Sequence, residues 1–147
     1  MRVSIMVYRR ESIEDRLLKM DETLKVLEEY KGISWNKYKA DIKTQWIVER
    51  GFIITAEMVF DIGAHILSSL YTEYCDEYEE ITRGLANKKV ISKKLAKGLE
   101  GFGGFRNVLI HEYVNLDSKK VHEALTGKLD ILKKFNKEIA VWIAKRK

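Results

Sequence analysis

The sequence contains no proline and one cysteine, Cys75, among its 147 residues. A single cysteine cannot form an internal disulfide or supply a cysteine metal cluster, which argues against a disulfide-rich secreted domain. The chain also lacks a run of about 18 consecutive apolar residues, the length that a membrane-spanning helix requires. Its start, MRVSIMVYRRES, has basic residues but too short an apolar run for a signal peptide. These absences predict a soluble cytoplasmic protein without a membrane association.

Charged residues are abundant but unevenly distributed. They make up 33% of the chain beside 46% hydrophobic residues, as is typical of one globular domain, which we place at residues 1–147. Residues 118–147 contain nine Lys/Arg and three Asp/Glu, a local charge of +6, so residues 1–117 carry about −1 of the total of +5. Such a basic helix could contact RNA phosphates, or it could be a solvated helix face.

The lack of proline and the scarcity of strand-like alternation predict an all-α fold. A helix is predicted from about residue 10 to 30, ended by Gly32, because apolar residues recur at steps of four and three: Ile13, Leu17, Met20, Leu24 and Leu27. A longer helix is predicted over residues 35–72, with an apolar set that includes Ile42, Trp46, Ile53, Phe60, Leu67 and Leu70. Its centre, FIITAEMVF, also resembles a buried strand, but the length of the segment favours a helix.

The second half of the chain is predicted to form shorter elements before a last long helix. TEYCDEYEE, which carries five acidic residues within residues 73–80, predicts a short acidic turn or helix. Helices follow at about residues 88–99 and 103–114. Asp117 or Ser118 can cap the last helix, whose apolar face contains Val121, Leu125, Leu132, Phe135, Ile139 and Trp142. The expected architecture is an up-and-down bundle of four long helices plus one or two short helices.

Three polar side chains lie at four-residue steps on one face of the second predicted helix: Glu57, Asp61 and His65. Carboxylates and a histidine can bind a divalent metal ion. Metal sites in helical bundles, however, take matching Glu-x-x-His ligands from several helices, and no such repeat occurs here. We therefore favour a polar edge that faces solvent or another helix, and predict no metal ion or other cofactor. His122 is expected in an exposed basic turn without a specific role.

The segment GFGGFRNVLIHEY, residues 101–113, combines glycines with three polar side chains, those of Arg106, His111 and Tyr113. The glycines do not match a phosphate-binding loop, so they either break the chain or allow another backbone to approach. On an ideal helix Arg106 and Tyr113 lie within about 20° of each other, whereas His111 lies about 140° from Arg106. Three interpretations remain open. In the first, Arg106 pairs with a carboxylate while His111 and Tyr113 pack. In the other two, His111 lies where the helix ends and the long side chains bend together, or the three line a wide cleft completed by another helix or subunit.

The residues RNVLIHEY form the pattern RxxxxHxY, with Asn107 directly after the arginine. This pattern resembles the signature of the HEPN superfamily, and the tyrosine two places after the histidine resembles in particular its HepT branch of toxins. VERGFIITAEMVFDIGAHIL, residues 48–67, is similar to the long second helix of that family. The resemblance extends over nearly the whole chain. It implies a helical toxin that cuts RNA without a metal ion and acts as a homodimer with two motif helices across a cleft.

By this resemblance Arg106 and His111 are the catalytic residues, and Asn107 and Tyr113 are supporting residues that contact RNA. Histidine exchanges protons near neutral pH, and arginine offers a phosphate a permanently charged fork. Because RNA carries its own nucleophile, the 2′-hydroxyl, cleavage would leave a 2′,3′-cyclic phosphate and a 5′-hydroxyl. The family makes tRNA one candidate substrate.

The resemblance also implies a protein partner, a small MntA-like nucleotidyltransferase antitoxin. This enzyme would transfer AMP from ATP to Tyr113, and the added charge and bulk beside Arg106 would block RNA. A non-catalytic helical module that binds a nucleotide or a protein in the same cleft is the alternative function.

Overall fold

The computed structural model describes residues 7–146, and over that range it consists of eight α-helices without a strand. The helices are α1 (Arg10–Glu28), α2 (Trp35–Ala40), α3 (Ile42–Tyr71), α4 (Tyr78–Asn87), α5 (Lys93–Gly98), α6 (Phe102–His111), α7 (Ser118–Gly127) and α8 (Leu129–Lys145). The predicted all-α class is confirmed. Residues 1–6, which enter the signal-peptide prediction, and Lys147 lie outside the described residues.

The central element is α3, which packs against α1, α4 and α6 and makes smaller contacts with α2 and α7. Its fully buried residues recur at helical spacing and include Val48, Phe52, Val59, Ile62 and Ile66. Each such side chain contributes about 1.5–3 kcal/mol by leaving water. The last helix, α8, closes the bundle against α1, α5 and α7. The buried face of α3 therefore fixes the positions of the helices around it.

The composition of α3 has a second consequence. By length and hydropathy alone this helix could cross a membrane, a property that the core helix of a globular fold shares. Here its buried side chains face other helices, so the core of the bundle accounts for its apolar character. Two members of its predicted apolar set do not join the core: Ile42 is 58% exposed and Trp46 is 63% exposed.

Two of the predicted long helices are divided. Asp41 has an extended backbone, and its Oδ1 accepts the N–H groups of Lys43 and Thr44 at 3.0 and 3.4 Å, so it caps α3 and separates it from α2. The second division lies at Lys128, directly after Gly127, a residue type that weakens a helix. The prediction of continuous helices is wrong at these points because local chain chemistry overrides the apolar periodicity.

The region between α3 and α6 also differs from the prediction. The first part of the acidic segment, residues 72–77, is not helical, and α4 follows it over residues 78–87. The helix predicted at 88–99 begins only at Lys93, because Val90 and Ile91 donate back to the Leu85 carbonyl and Ser92 Oγ accepts the Leu95 N–H at 3.1 Å. A turn and a capped short helix, α5, therefore replace one longer helix.

Candidate active site

The motif helix α6 begins at a sharp turn. Gly101 has a φ of 81°, in the left-handed region that favours glycine, and its N–H donates to Oε1 of Glu79 at 2.9 Å. Gly103 lies against Tyr78, since a Cβ atom at this position would come within 2.5 Å of the tyrosine side chain. A Cβ at Gly104 would meet open space. The glycines thus provide both a break before α6 and a close approach between α4 and α6.

Aromatic contacts set the direction of α6. The Phe102 ring lies 6.3 Å from that of Phe60, and the Phe105 ring lies 5.6 Å from that of Phe52. The earlier of these two rings on α6 therefore contacts the later ring on α3, and the later ring on α6 contacts the earlier one. The two helices run antiparallel, and the end of α6 points toward the first half of α3.

Arg106 is held by a carboxylate of α3. Its Nε and Nη2 both donate to Oε1 of Glu57, at 3.0 and 2.5 Å, and its Nη1 donates to Oδ1 of Asn107 at 3.0 Å. The Tyr78 ring lies 5.8 Å from the guanidinium carbon. The hydrogen bonds to Glu57 raise the pKa of Arg106 above its usual value. The arginine is therefore a fixed positive charge, and its side chain remains 20% exposed.

His111 has different surroundings, although it belongs to the same helix. It is the last residue of α6 and is exposed. Within residues 7–146 nothing hydrogen-bonds to its ring or forms an ion pair with it. Its imidazole is therefore accessible from solvent. The expected pairing of Arg106 with a carboxylate occurs, and His111 lies at the end of the helix, as one interpretation expected. His111 does not pack inside the chain.

Tyr113 lies beyond the helix rather than in it. The predicted end of α6 at residue 114 is wrong, since the helix ends at His111 and the N–H of Asn115 donates to the Glu112 carbonyl in a following turn. The helical angle between Arg106 and Tyr113 therefore does not apply. Tyr113 is 73% exposed, and its phenol is open to solvent at the end of the motif.

The polar edge of α3 contacts other parts of the chain. Glu57 binds Arg106, Asp61 lies 3.8 Å from Arg16, and Nε2 of His65 accepts the N–H of Arg9 at 3.0 Å. Burial raises the pKa of Asp61 and lowers that of His65. No group of three or more His, Cys, Asp and Glu side chains in the described part of the chain is arranged to hold a metal ion.

His122 does not lie in an exposed turn, so that prediction is wrong. It belongs to α7, its Nε2 is 2.7 Å from the Ile33 carbonyl oxygen, and its ring lies 5.7 Å from Trp35 and 5.3 Å from Tyr38. Because α7 packs against α2, this histidine joins the two elements. Its role is structural.

Two residues beside Arg106 escaped assignment from the sequence. Glu57 was predicted to belong to a polar edge that faces solvent or another helix, but no residue was predicted as its partner. Tyr78 belongs to the acidic segment, and no pattern linked it to the motif. Both reach Arg106 through contacts between residues that are distant in sequence.

Comparison with known proteins adds independent evidence. A relative named tRNA nuclease HepT, from Aphanizomenon flos-aquae, is 31% identical over 114 residues, which are 78% of this chain and 78% of that protein. A solved HEPN toxin of Shewanella oneidensis, described as tri-AMPylated and in complex with an MNT antitoxin, has a TM-score of 0.80 at 20% identity. The match covers 90% of this chain and 99% of the toxin. The structure of YutE, a cytosolic protein of unknown function from Bacillus subtilis, matches with a TM-score of 0.79 at 20% identity. The match covers 95% of this chain and 93% of YutE.

The structural similarities show the fold of this chain, and the sequence similarities show its family. The two solved structures share the fold with this chain, and at 20% identity they show no more than the fold. The family relation comes from sequence. The sequence model described as ribonuclease HepT-like matches residues 20–139, a range that contains the whole RxxxxHxY motif. Together with the 31% identical relative, this match shows that the chain belongs to the ribonuclease HepT-like family.

Proposed function

We propose that this protein is an endoribonuclease that cuts RNA without a metal ion and is the toxin of a toxin–antitoxin pair. The observation that carries the proposal is the arrangement along α6: Glu57 holds the Arg106 guanidinium, and His111 lies exposed at the helix end. Family membership supports the same activity. The relative named tRNA nuclease HepT makes tRNA the first substrate to test.

The proposed reaction uses the 2′-hydroxyl of RNA as the nucleophile. His111 accepts the hydroxyl proton as the 2′-oxygen bonds to phosphorus, and the bond to the 5′-oxygen breaks as that oxygen takes up a proton. Arg106 stabilises the charge that develops on the phosphate. Glu57 and Asn107 together accept three of the five guanidinium N–H groups, so Nη1 and Nη2 each keep one N–H. The products are a 2′,3′-cyclic phosphate and a 5′-hydroxyl.

The proposal includes a homodimer. The end of α6 points toward the first half of α3, where Ile42, Trp46 and Ile47 are 58%, 63% and 39% exposed, and Val114 just after α6 is 82% exposed. Exposed apolar side chains of this kind favour a protein interface, and a two-fold dimer uses the same surface twice. Two copies of His111 in one cleft would divide the work, one as proton acceptor and the other as proton donor.

Tyr113 is the proposed point of control by a nucleotidyltransferase antitoxin. The phenol oxygen bonds to the α-phosphorus of ATP and loses its proton to solvent, while the bond to the bridging oxygen of the β-phosphate breaks and pyrophosphate leaves. Its 73% exposure gives such an enzyme access. The HEPN toxin that shares this fold is itself described as AMPylated and bound to an MNT antitoxin. Each AMP would add one negative charge and a nucleoside to the motif, which repels RNA.

The nuclease activity is tested by incubating purified protein with tRNA and total RNA in excess EDTA. We expect cleavage by the wild type and none by Arg106→Ala or His111→Ala, with size-exclusion profiles and helical content unchanged. Undiminished cleavage by both variants would remove these residues from the mechanism. RNA binding without any product from wild-type protein would instead support the non-catalytic binding module.

The control step is tested with the cognate nucleotidyltransferase and ATP. Intact mass spectrometry should show the mass of one or more adenylyl groups on the wild type, and Tyr113→Phe should lose the modification at this position. Full modification of Tyr113→Phe at the same peptide would contradict the assignment.

A further inference from the structure

A groove separate from the motif lies between α5 and α8. Its volume is about 850 Å³, and the turn after α4 forms one edge. Its apolar lining comes from Val90, Ile91, Leu95, Ile131, Val141 and Trp142. Val141 is 45% exposed, so part of this lining is open to solvent. Val90, Ile91 and Leu95 are at most 4% exposed. The Trp142 ring is contacted by Tyr8 and by Arg146. The open apolar surface of the groove is therefore small and is centred on Val141.

Lysines surround the apolar surface. Six exposed lysines line the groove: Lys89, Lys93, Lys94, Lys134, Lys137 and Lys145. None of the six forms a salt bridge within residues 7–146, whereas Lys19 and Lys25 on α1 pair with Glu22 and Asp21. The positive charge of the groove is therefore not neutralised by neighbouring side chains.

Glu138, the acidic residue that lines the groove, connects α8 to the start of α5. Oε1 of Glu138 accepts the N–H of Ser92 at 2.6 Å, and its Oε2 accepts the Ser92 hydroxyl at 3.1 Å. These bonds join the start of α5 to α8 and so hold the two walls of the groove together. Six lysines and one engaged glutamate leave a strongly basic surface.

The positive charge and the apolar side chains of the groove favour single-stranded RNA over an acidic peptide as its ligand. Single-stranded RNA offers phosphates for the lysines and base faces for an aromatic side chain, here Trp142, and these are the two kinds of contact that sequence-independent sites use. An acidic peptide would supply the charge but not a regular series of planar apolar groups. Both the basic rim and the apolar floor of this groove therefore match RNA.

The groove also has a defined relation to the motif. The first residue of α4, Tyr78, lies against Arg106, and Ala86 near the other end of α4 lines the groove. With a rise of 1.5 Å per residue, these two positions are about 12 Å apart along the helix. The groove is therefore separate from the motif but close enough to it for one RNA strand to contact both.

We propose that the α5–α8 groove binds single-stranded RNA and holds the substrate outside the cutting site. This inference rests on the proposed nuclease function and deepens it. The predicted basic C-terminal helix gains a specific location, because Lys134, Lys137 and Lys145 on α8 share the groove with lysines of α5 and the preceding turn.

The binding test uses His111→Ala as the parent, so that RNA is not cut. The groove variant adds Lys134→Gln and Lys137→Gln, and the charge-matched control adds Lys19→Gln and Lys25→Gln. The probe is a labelled oligouridylate of about 20 nucleotides, longer than usual single-strand sites. We expect the groove variant to raise Kd about tenfold, or about 1.4 kcal/mol. The slope of log K against log salt should fall by about 1.4 for two lost phosphate contacts. The control should change Kd less than twofold.

Cleavage separates this proposal from the nuclease proposal. With His111 intact, the groove variant should raise KM for a long RNA about tenfold at unchanged kcat, whereas kcat/KM for a dinucleotide, which cannot reach the groove, should stay constant. Equal RNA binding by groove variant and parent would overturn the groove assignment alone. Poly-glutamate of matched charge binding as tightly as the RNA would also overturn it, in favour of an acidic protein. Failure of the wild type to cut either substrate would instead refute the proposed function.

Discussion

The two ends of α6 lie in opposite environments. At its start Phe102 is 1% exposed, and Gly103 is packed so closely on Tyr78 that no Cβ atom fits. At its end His111 is exposed, and Tyr113 beyond it is 73% exposed. Side chains that hold a helix need partners inside the fold, whereas side chains that react with a macromolecule need access from solvent. The difference shows how one short helix both packs into the core and presents a site.

Arg106 lies between these ends and shares properties of both. It is anchored by Glu57 and remains partly open. A charge fixed in this way does not have to be ordered when a phosphate arrives, which lowers the cost of binding the transition state. Along α6 the environment therefore changes from a packed start, through a centre held by Glu57, to an end that is open to solvent.

The largest effect on stability is expected when alanine replaces Gly103, and the adjacent Gly104 provides the comparison. Gly103→Ala places a Cβ within 2.5 Å of the Tyr78 side chain, and relieving the clash should cost about 1–3 kcal/mol of the free energy of unfolding. Gly104→Ala meets open space and should raise stability by up to about 1 kcal/mol through helix propensity. Urea unfolding of both variants measures the contrast. Equal effects would show that the close contact with Tyr78 does not constrain α6.

A smaller effect is expected on activity when the anchor of Arg106 is weakened. Glu57→Gln keeps an acceptor but removes the charge, so Arg106 should be less well positioned and kcat/KM for RNA should fall about tenfold, or about 1.4 kcal/mol. Asp61→Asn is the matched control one helical turn away, because Asp61 pairs with Arg16 instead. Equal activity of the two variants would remove Glu57 from the positioning of Arg106.

The smallest effect concerns pH and involves His65 on α3, whose Nε2 accepts the N–H of Arg9. Burial lowers the pKa of His65, so the unfolded chain binds a proton more readily than the folded chain. The contribution of His65 to stability is therefore complete above the unfolded-state pKa of about 6.5 and is lost as pH falls below it. The raised pKa values of Glu49 and Asp61 act in the opposite direction, but they are common to wild type and variant. Between pH 7.5 and 5.5 the Tm of His65→Gln should therefore fall less, or rise more, than that of the wild type. The same change of Tm in His65→Gln as in the wild type would contradict this assignment.

The sequence predicted the parts of this molecule that depend on local periodicity. The apolar stripe of α1 and the buried face of α3 follow from spacing, because a helix repeats every 3.6 residues. The divisions at Asp41 and Lys128 did not follow, since a side-chain cap or a preceding glycine acts on a few residues and leaves the apolar pattern intact. The end of α6 at His111 did not follow from the apolar pattern either, and there the Glu112 N–H donates to the Val108 carbonyl.

The site was predictable as a set of residues but not as a set of contacts. Arg106, Asn107, His111 and Tyr113 were identified by the motif, and their roles stay predictions. The bond between Arg106 and Glu57 joins residues 49 positions apart, and only the packing of α6 on α3 brings them together. The lysines of the groove come from two separate segments for the same reason.

The central claim is that Arg106 and His111 of α6 promote cleavage of RNA by the 2′-hydroxyl of the RNA itself. The most direct measurement is the identification of the product ends after cleavage of tRNA in EDTA by wild type and by His111→Ala. The account predicts a 2′,3′-cyclic phosphate and a 5′-hydroxyl from the wild type and no product from the variant. A 5′-phosphate, a requirement for added metal, or equal cleavage by a folded His111→Ala protein would contradict it.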